Sequence, residues 1–397
     1  MNDSGIAIIV PTYNRATLLP DCLDSILTQM QPADRLIVVD DGSADDTQAV
    51  LARYEHRVAP MKIENSGKAA ALNIALERAD LEFVWIVDDD DVIAPTARQD
   101  LMQVFAADPE ADIAYGRHLR FHADPQSGER VLDETGHWTH CEPERFLVAT
   151  LEDMFVHQPG MIVRRGLYDK VGPFDTELNR SVDYDMLIRL ALAGRAVASD
   201  TVVFYQRQHD GIRGSEAQPV DAGDREDVWQ SYDFDIFNRL YEELPLACYL
   251  PSRRIDGPAD LRAALIQRGV VMARKNLWDQ AIADFEQALN ESTEPLGPQT
   301  REVARKMFSS KYGCDQLLND EPVVADVAKL ARRSPAGRQL ARAIARGMYW
   351  RIREAAQQLR FGKAARYSAA AAALELASAR QAAATQTEPL ARQAEEA

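Results

Sequence analysis

The sequence predicts an α/β fold with a parallel sheet, followed by an all-α region. In the first half, short β-branched apolar runs alternate with amphipathic helical patterns, which is typical of a parallel sheet covered by helices on both faces. From about residue 225 onward no strand pattern appears, and apolar residues recur at helical spacing. A chain of 397 residues is long enough for two or three domains.

The first half contains three predicted buried strands separated by helices. The strands cover 6–10, "RLIVVD" from Arg35, and "EFVWIV" at 82–87. The helices cover 16–30, about 45–54, and 67–79. The strands run into "PTYNR", "DDGS" and "DDDD" respectively. Because ligands bind beyond the carboxyl ends of parallel strands, we expect these three polar clusters to meet at one edge of the sheet.

Composition and cysteine spacing favour an ordinary globular protein of a reducing compartment over a membrane-spanning or secreted protein. No run approaches eighteen apolar residues, no basic region precedes the short N-terminal apolar run, and the four cysteines show no C-x-x-C spacing. We therefore expect a cytoplasmic protein, either free or peripheral at the inner face of the membrane. The net charge of −17 argues against nucleic acid as a main partner.

The segment from Lys329 to Arg366 departs from this acidic character, because it holds eleven lysines and arginines against one acid, Glu354. Within it, Leu340, Ile344 and further apolar residues recur at helical spacing. Two interpretations fit. The helix packs on the rest of the protein with a solvated cationic face, or it lies at anionic lipid headgroups as an interfacial helix. Contact with a protein partner is a further option for this segment.

The run Asp88–Asp91 places four carboxylates directly after a buried strand, where they repel one another. A solvated turn relieves that repulsion, and so does a bound divalent cation. Asp88 and Asp90 lie two residues apart, so on an extended chain they face the same side. A cluster with oxygen ligands only suits Mg²⁺ or Mn²⁺.

Five motifs in this order resemble the family 2 glycosyltransferases, which are inverting enzymes of the GT-A fold. The resemblance covers about residues 5–215, and its acidic cluster is similar to the family's DxD motif. The segments that carry it are "IVPTYNRATLLPDCLDSIL" with "RLIVVDDGSADDT", "ENSGKAAALNIAL", "VDDDDV", "GPFDTELNRSVDYDMLIRLALAG" and "YQRQHDGIRGS".

The resemblance implies a nucleotide-sugar site at the first three motifs. Tyr13 would stack on the base, Asp41 would accept a hydrogen bond from a uracil-like N–H, and Asp40 would be structural. Lys68 would lie near the phosphates, although a solvated cation at a helix start also explains it. The full set implied for the donor is Pro11, Thr12, Tyr13, Arg15, Asp41, Asn65, Gly67, Lys68, Asp88 and Asp89.

The resemblance also implies a metal, Mn²⁺ or Mg²⁺, held by Asp88, Asp90 and His209. Asp89 would contact ribose or the metal. Asp91 is expected to cap the helix that follows.

Asp183 matches the aspartate of the family's acid-Asp pair, and the resemblance implies that it is the catalytic base. An inverting displacement needs such a carboxylate to take the proton of the acceptor hydroxyl. Val182 stands where the family commonly has Glu, which puts the acceptor contacts in doubt. The residues implied to contact acceptor are His157, Gln158 and Asp185. An ion pair between Asp185 and Arg189 on the helix surface is the alternative for Asp185.

The predicted organisation is a GT-A domain over 1–215, a linker or extension over 216–255, a helical hairpin over 256–320, and a basic amphipathic helix with an Ala-rich tail over 321–397. The hairpin, with helices joined near Asn276, resembles a tetratricopeptide helix pair. The function that the resemblance implies is transfer of a sugar from a nucleotide diphosphate sugar, expected to be UDP-linked, to a glycan or lipid-linked hydroxyl acceptor. The alternatives are an interaction protein with a vestigial transferase domain and a sugar nucleotidylyltransferase.

Overall fold

The computed structural model describes residues 5–124, 126–135, 138–178, 180–208, 225–292, 294–309 and 321–395. The chain divides into two compact units. The first unit comprises Met1–Thr150 and Met154–Tyr232, and the second comprises Leu151–Asp153 and Asp233–Ala397. No helix within the described residues is long and apolar enough to cross a membrane.

The first unit is built on a nine-stranded sheet with the order β3-β2-β1-β4-β8-β6-β9-β5, and β7 pairs with β6. The strands are β1 (Ile6–Thr12), β2 (Arg35–Asp40), β3 (Ala59–Lys62), β4 (Phe83–Ile86), β5 (Val92–Ile93), β6 (Ile113–Ala123), β7 (Arg130–Thr135), β8 (Met161–Arg164) and β9 (Ala196–Arg207).

The prediction of a parallel sheet is confirmed for the three predicted strands, β1, β2 and β4. The first four strands in the order pair in parallel, but β8 runs antiparallel to both β4 and β6. An apolar run marks a strand as buried on both faces and carries no information about its direction. The α/β fold class was nevertheless predicted, and the sheet is mixed.

The three predicted strands are present as β1, β2 and β4, whereas β3 was not predicted. Three of the four residues of β3 are exposed, and Pro60 lies within it. A sheet edge tolerates proline and polar exposure, because one side of the strand needs no ladder hydrogen bonds. An edge strand of this kind lacks the apolar run by which a central strand is recognised.

Helices cover the sheet as predicted. In α1 (Leu19–Leu27) the buried residues Leu19, Leu23 and Ile26 recur at helical spacing and join the core with Ile8 and Trp85 of the sheet. The remaining helices that bear on this unit are α2 (Thr47–Ala52), α3 (Lys68–Arg78), α4 (Ala97–Ala107), α5 (Phe146–Glu152), α6 (Arg165–Val171) and α7 (Val182–Ala193).

From residue 225 the described residues form helices and no strand, which confirms the all-α prediction. The predicted linker or extension over 216–255 contains the whole of the first of these helices. They are α8 (Arg225–Glu243), α9 (Pro258–Arg274), α10 (Trp278–Glu291), α11 (Pro298–Arg305), α12 (Glu321–Leu330), α13 (Pro335–Gly347), α14 (Tyr349–Gln357) and α15 (Phe361–Glu395).

The predicted helix pair is formed by α9 and α10, and the chain reverses at Asn276, whose φ is +60°. The two helices approach closely at Gly269. A β-carbon placed on Gly269 would lie 2.6 Å from the ring of Phe285, which is fully buried. The absence of a side chain at Gly269 therefore sets the distance between the helices.

The basic segment is divided between α13, α14 and the start of α15. Leu340, Ile344 and Met348 are fully buried within the helical unit. Their apolar face is therefore not available to lipid, and the interpretation as an interfacial helix was wrong for this face. The segment instead packs as predicted by the first interpretation, with cations such as Arg346 exposed.

Replacement of Gly269 by Ala tests the close approach of α9 and α10. Because the new methyl group would overlap the Phe285 ring, Gly269→Ala is expected to lower the free energy of unfolding by about 1–3 kcal/mol. The measurement is chemical denaturation of the full chain. The matched control is Gly297→Ala, since a β-carbon there meets no atom within 4 Å. Equal stability of the two variants would contradict the packing described.

Candidate active site

The carboxyl ends of β1, β2 and β4 lie side by side, because the three strands are parallel neighbours in the sheet. The backbone N–H of Asp41 donates to the carbonyl of Thr12 (2.9 Å), and that of Val87 donates to the carbonyl of Ile9 (2.9 Å). These hydrogen bonds extend the pairing of β1 with β2 and with β4 to the carboxyl ends of the strands. The clusters "PTYNR", "DDGS" and "DDDD" are therefore brought together at one edge, as predicted.

The turn after β1 is fixed by a network that the sequence analysis did not identify. Asn14 has a φ of +52°, its N–H donates to Ser43 Oγ (2.9 Å), and its Oδ1 accepts from the N–H of Ala44 (2.8 Å). The next residue, Arg15, donates its N–H to Thr47 Oγ1 (3.2 Å). Asparagine tolerates the left-handed region, so an Asn at the end of a strand was an available signal.

Asp40 and Asp41 have different surroundings. Asp40 is fully buried and accepts hydrogen bonds from the N–H of Ser43 and the amide of Gln48, which agrees with the structural role predicted for it. Asp41 accepts from the N–H groups of Ser66 (2.7 Å) and Gly67 (2.9 Å). Burial raises the pKa of Asp41, and these two hydrogen bonds partly oppose that rise.

The loop before α3 is held against "DDGS" by close backbone approach. The side-chain amide of Asn65 donates to the carbonyl of Asp41 (2.9 Å). Gly42 has a φ of +80°, and a β-carbon there would lie 2.9 Å from the backbone nitrogen of Asn65. Both the conformation and the space therefore require glycine at this position. The predicted donor residues Asp41, Asn65 and Gly67 form one connected structure.

Lys68 and Arg15 are cations that face the acidic run. Lys68 Nζ lies 2.6 Å from Asp88 Oδ1, and Arg15 Nε lies 3.8 Å from Asp89 Oδ1. Burial alone would lower the pKa of the Lys68 ammonium, but the carboxylates of Asp88 and Asp183 raise it above its ordinary value. Lys68 is exposed at the start of α3, as the solvated-cation alternative expects, and it also pairs with Asp88 of the acidic run.

The acidic run retains negative potential despite these two cations. Burial, together with the charge of Asp90, raises the pKa of Asp89 to about 7. Burial and then the four carboxylates Asp88–Asp91 raise the pKa of the Cys22 thiol, which donates to the carbonyl of Asp88 (3.4 Å). The environment therefore favours an additional positive charge at this turn.

Asp91 does not cap the following helix, contrary to prediction. It is buried, and its Oδ1 accepts the backbone N–H of Arg207 (3.0 Å), while α4 begins only at Ala97. The short strand β5 intervenes and carries Asp91 toward β9 instead. A four-residue acid run gives no signal for such a long-range bond.

Arg207 is a second site residue that the sequence analysis missed. Its Nε donates to the carbonyl of Asp90 (3.0 Å), and its terminal nitrogen pairs with Asp21 (2.6 Å). The guanidinium carbon also lies 4.7 Å from the centre of the Phe121 ring. Arg207 is 6% exposed, so these contacts fix the position of the acidic turn relative to β9. The only available signal was its place in "YQRQH".

Asp183 lies in the first turn of α7, which follows Ser181, whose φ is +53°. One of its carboxylate oxygens accepts the N–H of Tyr184 (3.0 Å). Burial raises the pKa of Asp183, the ammonium of Lys68 lowers it, and the carboxylate of Asp88 raises it again. Lys68 therefore couples the predicted base to the acidic run electrostatically.

The three residues predicted to contact acceptor differ in their surroundings. His157 is half-buried with its ring edge-to-face on His118, at a centroid distance of 5.0 Å. Gln158 is 1% exposed, and its side-chain amide has no hydrogen-bond partner in the described part of the chain. Asp185 is buried and pairs with Arg189 (2.8 Å), which favours the ion pair over an acceptor contact.

The oxygen atoms of the acidic run suit a divalent cation. The run offers fewer protein ligands than a site in which side chains fill every coordination position. Within the described ranges, no three acidic, histidine or cysteine side chains converge on one point. His209 lies outside the described residues. Mg²⁺ and Mn²⁺ sites commonly use one or two carboxylates and complete the shell with substrate phosphates and water. The oxygen donors and the negative potential at Asp88–Asp90 therefore fit such an ion.

The fold and this edge define a class of protein: an α/β domain with a carboxylate-rich site where its parallel strands end. Residues 7–172 match the model of glycosyl transferase family 2, as the sequence motifs predicted.

Similar proteins include an uncharacterized glycosyltransferase of Rickettsia prowazekii, 22% identical over 57% of this chain and 71% of that protein. The chondroitin synthase of Pasteurella multocida is 26% identical over 48% of this chain and 19% of that protein. A crystal structure of Staphylococcus aureus TarS 1–349 with UDP-GlcNAc is 20% identical, with a TM-score of 0.48, and the match covers 76% of this chain and 85% of that one.

Replacement of Arg207 tests its role in positioning the acidic turn. Arg207→Lys keeps the charge but removes the planar fork that bridges Asp90 and Asp21, so kcat is expected to fall roughly 10- to 100-fold. The measurement is release of nucleoside diphosphate from a sugar donor. Asp21→Asn removes only the outer partner of Arg207, so it is expected to lower kcat less than Arg207→Lys does. An unchanged kcat in a folded Arg207→Lys variant would contradict the assignment.

Proposed function

We propose that the chain transfers a sugar from a UDP-linked donor to a hydroxyl acceptor, with inversion at the anomeric carbon. The observation that carries this proposal is the convergence of the Asp41 loop, Lys68 and the acidic run at one edge of the family 2 segment, where Lys68 Nζ lies 2.6 Å from Asp88 Oδ1. A general base and a diphosphate-binding turn must act on opposite sides of one anomeric carbon, so they need to share one site.

The donor would lie along the ends of β1 and β2. Asp41 accepts two backbone N–H groups, but each carboxylate oxygen has a second lone pair that is available to the N–H of a uracil ring. Tyr13 is half-buried in the turn after β1, where an aromatic face supports stacking on a base. Pro11, Thr12 and Arg15 would complete this wall.

The diphosphate would lie between Lys68 and the acidic run. Asp88 and Asp90, with His209, would hold Mn²⁺ or Mg²⁺, and Asp89 would contact ribose or the metal. When bound, the ion stabilises the negative charge that gathers on the departing nucleoside diphosphate. The Lys68 ammonium, which Asp88 holds at 2.6 Å, would contact the same diphosphate at the start of α3.

Asp183 would act as the general base. Its carboxylate would take the proton of the acceptor O–H while the oxygen attacks the anomeric carbon and the bond to the diphosphate breaks. Burial raises the pKa of Asp183 toward neutral pH, and a general base is most effective when its pKa is close to the working pH. Val182 supplies no second carboxylate, so the acceptor would be positioned by other groups.

His157 and Gln158 are the proposed acceptor contacts. The half-buried imidazole of His157 supports this role, whereas the amide of Gln158 is 1% exposed and would pair with an acceptor only after its surroundings open. A glycan hydroxyl offers the required donor and acceptor. The name of the similar chondroitin synthase supports a polysaccharide or glycoconjugate as product.

Incubation of the full chain with a panel of UDP- and GDP-sugars and Mn²⁺ tests the function. Release of nucleoside diphosphate that stops with a chelator and resumes with added Mn²⁺ is the expected result. Release of pyrophosphate instead would indicate a nucleotidylyltransferase. Absence of both turnover and UDP binding would overturn the proposal and favour an interaction protein with a vestigial domain.

Replacement of Asp183 by Asn tests the base. Turnover is expected to fall by at least about 10²-fold, because the amide cannot accept the proton. UDP affinity should be retained, since the donor contacts are intact. In the wild type, kcat should fall as the pH drops through a pKa above that of an ordinary aspartate, because Asp183 becomes protonated.

The stability of the same variant gives an independent readout. An acid whose pKa is raised in the folded state binds a proton more readily when folded, so it costs stability as the pH rises past its unfolded pKa. Asp183→Asn removes that cost. The melting temperature at pH 7 should therefore stay equal or rise while activity is lost, and a lowered value would show that Asp183 is structural instead.

A further inference from the structure

The turn between α14 and α15 exposes two large apolar side chains. Leu359 is 74% exposed and Phe361 is 66% exposed, more than any other large apolar side chain among the described residues. Every residue from 356 to 362 is exposed. Since α14 and α15 pack against each other, residues 357–362 form the tip of a helical hairpin, which we call the Leu359 turn.

The backbone of this turn does not explain the leucine. Leu359 has a φ of +58°, the N–H of Arg360 donates to the carbonyl of Ala355 (2.8 Å), and that of Leu359 donates to Ala356 (3.1 Å). This is a helix C-terminus at which glycine or asparagine is favoured, because a β-carbon is strained at positive φ. Neither local conformation nor packing accounts for an exposed leucine here.

Positive charge surrounds the two apolar side chains. Arg353, Arg360 and Arg366 are exposed, and Lys363 is half-buried. The one acid between Lys329 and Arg366 is Glu354, and its carboxylate is paired with Arg351 (2.9 Å). The Leu359 turn therefore presents an apolar pair within a cationic surface.

We propose that the Leu359 turn binds an anionic lipid bilayer. Leu359 and Phe361 would enter the boundary between headgroups and acyl chains, and Arg353, Arg360, Lys363 and Arg366 would meet lipid phosphates. Charge complementarity and a convex tip identify this occupant: a bilayer accepts protruding apolar side chains without a matching groove. The buried face of Leu340, Ile344 and Met348 takes no part.

The contact is weak and electrostatic in part. Two apolar side chains give reversible attachment, and exposed cations add an attraction that salt screens. The inference is independent of the sugar-transfer proposal, because it uses no residue of the donor or acceptor sites. It would nevertheless place a transferase close to acceptors that are linked to lipid.

Flotation of the full chain with vesicles tests the proposal. Binding to vesicles of phosphatidylcholine with about one-third phosphatidylglycerol is expected at low salt, with little binding to pure phosphatidylcholine and a loss at high salt. Equal binding to both vesicle types, or none to either, would overturn the proposal. Binding to an acidic protein but to neither vesicle type would also overturn the proposal.

The matched variants separate the turn from general effects on folding. Leu359→Gly removes the side chain and relieves the positive φ, so binding should fall at least about tenfold while the melting temperature stays equal or rises. Phe361→Ser should also weaken binding. Leu376→Ala is the control, because Leu376 is 57% exposed on α15 but lies outside the turn. If Leu359→Gly and Leu376→Ala bind alike, the turn is not the contact.

Discussion

The crowding of carboxylates at the carboxyl edge of the sheet is the constraint on which the rest of the site depends. Four aspartates follow β4, and burial together with the charge of these carboxylates raises the pKa of Asp89 within the run and of the Cys22 thiol beside it. Lys68, Arg15 and Arg207 each approach this edge from a different element. The charges that stabilise the turn are thus drawn together from the turn after β1, from α3 and from β9.

The acids of the edge fall into two groups by what they contact. Asp40, Asp91 and Asp185 are buried and held by backbone or arginine groups, so their role is to fix the fold. Asp88 instead pairs with Lys68, whose ammonium also lowers the pKa of Asp183. Structural acids hold the loops rigidly, and a rigid edge is what allows chemically active carboxylates to be placed within a fraction of an ångström.

Sequence patterns succeeded where periodicity and turn chemistry are local. The buried strands β1, β2 and β4, the apolar face of α1 and the helix pair reversing at Asn276 were all predicted from such signals. They failed where contacts are long-range. The edge strand β3 has no apolar run, Asp91 pairs with a residue more than a hundred positions away, and strand direction leaves no trace in an apolar pattern.

The sequence by itself determined the α/β class, the family of the first domain and the residues that reach its edge, because motifs and hydrophobic period are properties of neighbouring residues. Only the tertiary structure decided which aspartates are engaged structurally, that Arg207 braces the acidic turn, and that the apolar face of the basic segment is buried. These outcomes depend on which elements pack together. A local sequence pattern carries no information about burial or about pairing between distant positions.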